Sequence, residues 1–122
     1  MRIGTAEIYN HLESYHEIKD TLVVGQKQGA DERVVLFVKM APDHTFSSDL
    51  VERIKKSIRA VLSPRHVPAV ILAINDIPYT INNKKVEVAV KKIISGEKVV
   101  PSGALANPQA LEAFYDIPEL KQ

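Results

Sequence analysis

With 122 residues, 45% of them apolar and 25% charged, the chain is sized and composed for one globular domain with a modest core. Its 16 basic and 15 acidic residues nearly cancel at a net charge of +1, which argues against a broad surface for nucleic acid or anionic membrane. Cysteine is absent, excluding disulfides and thiol catalysis, and no membrane-length apolar run or signal-peptide pattern is present, so a cytoplasmic protein is expected.

In chain order, Thr5 is suited to cap a helix from about 5 to 15, because Ile8, Leu12 and Tyr15 recur on one face. Thr21–Gly25 reads as a short strand, and Gln26–Glu32, with Gly29 and Asp31, as a turn. Arg33–Met40 holds the β-branched and aromatic run Val34-Val35-Leu36-Phe37-Val38, which predicts a buried strand paired as a hairpin with the first. Phe46, Leu50, Ile54, Ile58 and Leu62 repeat every four residues and predict a helix that ends at Ser63-Pro64. Ala69–Ile74, apolar throughout, reads as a third strand. Val86, Ala89, Val90, Ile93 and Ile94 fill one helical face, with Gly96 as the stop. Asn107-Pro108 has the form of a helix cap followed by Pro at the first helical position, with Leu111, Phe114 and Tyr115 facing inward. The expected fold is α+β: a small, mostly antiparallel three-stranded sheet covered by helices, with Arg33–Met40 at its centre.

One corner concentrates the chemistry. In Ile77-Pro78-Tyr79-Thr80-Ile81-Asn82-Asn83-Lys84-Lys85, Pro fixes φ and the two Asn tolerate turn geometry, so Lys84 stands on an exposed loop just ahead of a helix. A cation held on a stiff loop suits the handling of anions. Lys85 reads as a surface charge, and Glu7 as a structural carboxylate in a first helical turn. The four histidines, His11, His16, His44 and His66, lack metal-site spacing, and neither a phosphate-binding glycine loop nor a Gly-x-Ser-x-Gly elbow occurs.

The spacing Pro78-x-Thr80-x-x-Asn83-Lys84 resembles the Pro-x-Thr-x-x-Gly-Lys motif near the end of acyl-CoA synthetases, the adenylate-forming ligases, with Asn83 in place of the usual glycine. Arg2-Ile3-Gly4-Thr5-Ala6-Glu7-Ile8 is similar to the segment that opens the family's mobile C-terminal lid. Ile58–Pro64 with Val67-Pro68 resembles the helix and turn ahead of its third strand. For one short-chain member the likeness extends to Arg33–Met40, Ile77–Val90 and the tail from Asn107-Pro108 to Leu120.

The resemblance implies a lid domain over 1–96 and a C-terminal extension over 97–122 whose short helix packs on the same domain. It implies that Lys84 is the adenylation lysine, that Arg2 contacts nucleotide phosphate, that Gly4 flanks the pantetheine channel and that Arg59 meets the nucleotide of CoA. ATP, bound with Mg, would be held mainly by an N-terminal adenylation domain of the same enzyme, with the hinge just before Arg2. The lid alone would be inactive. Two readings compete: the lid of another short-chain, acetyl-CoA-like, acyl-CoA synthetase, and a stand-alone binding module without catalysis whose basic residues Lys55, Lys56, Arg59, Lys91 and Lys92 meet an acidic partner or nucleic acid; the balanced charge and sparse aromatics weigh against the module.

Overall fold

The computed structural model describes residues 5–28, 31–64, 67–74, 76–82, 84–98, 105–115 and 117. The elements are α1 (Thr5–Leu12), β1 (Ile18–Gln28), β2 (Asp31–Met40), α2 (Ser48–Val61), β3 (Val70–Ala73), α3 (Glu87–Ile94) and a 3-10 helix (Pro108–Phe114). The sheet has the order β1-β2-β3, so the Arg33–Met40 strand is central as its apolar run requires.

β1 and β2 form the expected antiparallel hairpin, with Leu22 opposite Phe37 and Val24 opposite Val35. β1 is much longer than Thr21–Gly25, and residues placed in a turn by sequence belong to the ladder. Gln26 is fully buried there, its amide donating to the Ile94 carbonyl (2.8 Å) and accepting from Arg33 Nε (2.8 Å). A polar side chain in a strand is tolerated when both ends of its amide are satisfied.

β3 pairs parallel to β2, so the sheet is mixed rather than nearly all antiparallel. The connection explains the orientation. α2 crosses one face and returns the chain to start β3 in the direction of β2, the βαβ arrangement that parallel pairing needs. α2 forms where its period predicts: the Ser47 side chain accepts from the Leu50 N–H, and Leu50, Ile54 and Ile58 are buried. Gly96, at φ +98°, turns the chain out of α3.

Alternation along the strands divides the core. On one face Val23, Leu36, Val38 and Ile71 pack with Ile8 and Leu12 of α1 and Leu50, Ile54 and Ile58 of α2. On the other, Leu22, Val24, Val35 and Phe37 pack with Ile77, with Val90, Ile93 and Ile94 of α3, and with Leu111 and Phe114 of the 3-10 helix. Phe37 and Phe114 meet edge to face at 4.7 Å between ring centroids. Such a pair contributes about 0.5–1.5 kcal/mol beyond its buried area.

Candidate functional site

The corner ahead of α3 is a miniature hairpin. The Thr80 N–H donates to the Lys84 carbonyl (2.8 Å), the Val86 N–H to the Pro78 carbonyl (3.2 Å), and Tyr79 bridges Lys85 antiparallel. The Thr80 hydroxyl accepts from the Lys84 N–H at 3.2 Å. Thr80 therefore closes the loop with its backbone and its side chain, which is a physical reason for threonine four residues before the lysine. Lys84 is exposed, and among the described residues it forms no ion pair. Ile81, at the tip, is also exposed (67%), an unusual position for a branched apolar side chain.

Lys85 behaves differently from the solvated charge that its position suggested. It is half-buried, its ammonium lies 3.3 Å from Asp20 Oδ1, donates to the Thr21 carbonyl, and sits 3.7 Å from the centroid of the Tyr9 ring. Attraction to the Tyr9 ring face adds to the ion pair, and both need the ammonium held in place. Asp20 also accepts from the Tyr79 hydroxyl. One carboxylate on the edge strand β1 thus fastens both legs of the corner, Tyr79 on one and Lys85 on the other.

The same edge is sealed by Tyr9 of α1. Its hydroxyl accepts from the Val23 N–H (2.9 Å) and donates to Glu87 at the start of α3. An edge strand otherwise offers unpaired backbone groups, and here Tyr9, Asp20 and Lys85 take up those of Thr21 and Val23. Burial first, then the Glu87 carboxylate, pushes the Tyr9 hydroxyl far above its ordinary range; burial and Asp20 do the same for Tyr79. Both hydroxyls stay protonated and each donates to a carboxylate, while the Tyr9 oxygen also accepts from the Val23 N–H.

Asn107 holds the corner from its other side. Its Oδ1 accepts from the Tyr79 N–H (2.8 Å), and its Nδ2 donates to the Ile77 carbonyl (2.9 Å) and to Asp76 Oδ2 (3.1 Å). It precedes the 3-10 helix as predicted, but its side chain makes no capping hydrogen bond, and the helix is 3-10. Burial of Asp76 disfavours its charge, yet hydrogen bonds from Lys39, Asn107 and its neighbouring backbone N–H outweigh this and hold the carboxyl below the usual range.

Of the residues singled out in the sequence, Arg2 and Gly4 lie outside the described residues, as does Asn83. Arg59 is exposed on α2, which covers the sheet face opposite the one carrying Ile77 and Tyr79, so the fold does not bring it to Lys84. Sequence reasoning missed Asp20, Tyr9 and the clamping role of Asn107. A findable signal existed for Asp20: it alternates with Leu22, Val24 and Gln26, a lone charge on a buried strand face.

The chain is 53% identical over 122 residues to the acetoacetyl-CoA synthetase of Gallus gallus, a match covering 99% of this chain and 18% of that relative. A solved acetoacetyl-CoA synthetase from Streptomyces lividans superposes with a TM-score of 0.82 at 37% identity, covering 93% of this chain and 18% of that one. The chain matches the C-terminal domain of acyl-CoA synthetases. The acyl-CoA synthetase of Brucella canis shares that domain more distantly, with 26% identity, a TM-score of 0.64, and coverage of 70% of this chain and 16% of its own. No family model matches the chain. The chain spans less than a fifth of the length of these synthetases. No helix among the described residues is long and apolar enough to cross a membrane.

Proposed function

We propose that this chain is the mobile lid of an acetoacetyl-CoA synthetase-type ligase, converting acetoacetate, ATP and CoA to acetoacetyl-CoA, AMP and pyrophosphate. In the first step a carboxylate oxygen of acetoacetate attacks the α-phosphorus of ATP, and pyrophosphate leaves. Lys84, reaching from the lid into the pocket of the N-terminal adenylation domain, sets its ammonium beside the negative charge developing on the phosphate and carboxylate oxygens. Charge placed in advance of the transition state is worth about 3–4 kcal/mol where it has been removed in other enzymes. The lid then turns, and the CoA thiol attacks the acyl carbon and displaces AMP. In that state Arg2 contacts nucleotide phosphate, Gly4 lets backbone approach the pantetheine arm, and Arg59 meets the nucleotide end of CoA at the surface. ATP, with its Mg, belongs mainly to the N-terminal domain.

The observation that carries the reading is Lys84 itself: an exposed ammonium on a corner pinned by its neighbours, in a chain about half identical to acetoacetyl-CoA synthetase C-terminal segments. The two adjacent lysines support the choice between them, because Lys85 is already committed to Asp20 and Tyr9. The test is Lys84→Ala in a chimera with this chain replacing the corresponding C-terminal segment of the Gallus gallus enzyme. Acyl-AMP formation should fall about 100- to 1,000-fold, while thioester formation from preformed acyl-AMP is kept. Equal loss of both half-reactions would refute the assigned role.

A further inference from the structure

The leg of the corner that leads to Lys84 is the middle of three extended segments. On one side Pro78 and Thr80 bond to Lys84 and Val86. On the other, the chain beyond α3 returns: Leu105 bridges Thr80 antiparallel, the Ala106 N–H donates to the Tyr79 carbonyl (2.9 Å), and Asn107 accepts from the Tyr79 N–H (2.8 Å). The backbone N–H and C=O of Tyr79 are thus both taken by residues 106 and 107. Asn107 then donates to the Ile77 carbonyl and to Asp76, which is itself paired with Lys39 at 3.0 Å on the central strand. Just beyond, Leu111 and Phe114 sink into the core against Phe37, fixing the returning segment to the sheet.

Resting on the reading of Lys84 given above, we infer that Asn107 is a positioning residue for the first half-reaction: it ties Asp76, Ile77 and Tyr79 to the core and so sets where the lysine tip points. A short polar side chain with one acceptor and two donors, all satisfied by one strand segment, fixes both the position and the twist of that segment. The hairpin beyond Thr80 has no core contact through Ile81, which is exposed, so the direction of its tip is inherited from the leg that Asn107 holds. Displacements of about 1 Å at a reacting group can cost about 100-fold in rate. The effect is confined to the step in which Lys84 acts.

The experiment uses the same chimera, measuring ATP–pyrophosphate exchange with acetoacetate and, separately, thioester formation from preformed acyl-AMP. Asn107→Ala should lower kcat for exchange by between about 10- and 100-fold and leave thioester formation within about twofold. Ile54→Ala, which opens a cavity on the opposite face of the sheet, serves as the structural comparator and should lower Tm without separating the two half-reactions. An equal fall in both half-reactions for Asn107→Ala, or no fall in either, overturns the inference. If Asn107→Ala yields no folded protein, Asn107→Asp keeps the acceptor for the Tyr79 N–H and loses both donations, and is read by the same criterion. Lys84→Ala, run alongside, separates the two ideas. Unimpaired exchange in Lys84→Ala defeats the functional reading, whereas impaired exchange there with no separation in Asn107→Ala defeats only the role of Asn107.

Discussion

The two faces of the sheet are held by different physics. The face under α1 and α2 is closed by aliphatic side chains such as Ile8, Leu12, Leu50, Ile54 and Ile58, each nearly inaccessible. Its polar contacts, His11 of α1 with Ser57 of α2 and Arg53 of α2 with Glu17 just ahead of β1, do not touch the lysine corner. The face carrying the lysine corner has an apolar floor too, but its rim is assembled from residues far apart in sequence: Asp20 with Tyr79 and Lys85, Tyr9 with Glu87, Asn107 with Tyr79. Apolar packing is non-directional and tolerates modest rearrangement, whereas each polar contact demands a distance and an angle. The first face supplies stability and the second supplies direction.

Ile54→Ala breaks the first face and should have the largest effect on folding. Removing a fully buried branched side chain costs about 2–5 kcal/mol, read by denaturant unfolding of the chain. Asp20→Ala sharpens the contrast from the other side. It leaves the half-buried Lys85 ammonium and the Tyr79 hydroxyl without their shared acceptor, at about 1–3 kcal/mol. Its signature should nonetheless be functional: in the chimera, pyrophosphate exchange falls by more than thioester formation, because both legs of the corner are loosened. If Ile54→Ala separated the half-reactions and Asp20→Ala did not, the division of labour between the faces would be wrong.

Legibility followed the same division. α2 was plain in the sequence because burial of one helical stripe imposes a repeat, and Phe37 marked the central strand because a strand covered on both faces is apolar throughout. The direction of β3 was not legible, since an apolar four-residue strand looks the same parallel or antiparallel; only its connection through α2 sets the direction. The candidate site was half legible. The spacing from Pro78 to Lys84 announced a tight corner, but spacing says nothing of Asp20, some 60 positions earlier in the chain, or of Asn107. Asn107 before Pro108 carries a strong local capping signal, and tertiary hydrogen bonds to Tyr79, Ile77 and Asp76 won over it. Lys85 was read as solvated for the same reason: nothing local reveals that it folds over Tyr9.

The most direct measurement is competitive amine labelling of the chimera, comparing Lys84 with Lys85 by mass spectrometry with and without ATP and acetoacetate. Lys84 should react well ahead of Lys85 in the free enzyme and be shielded once both substrates are bound. Lys84 labelling no faster than Lys85, or labelling unchanged by the substrates, would contradict it.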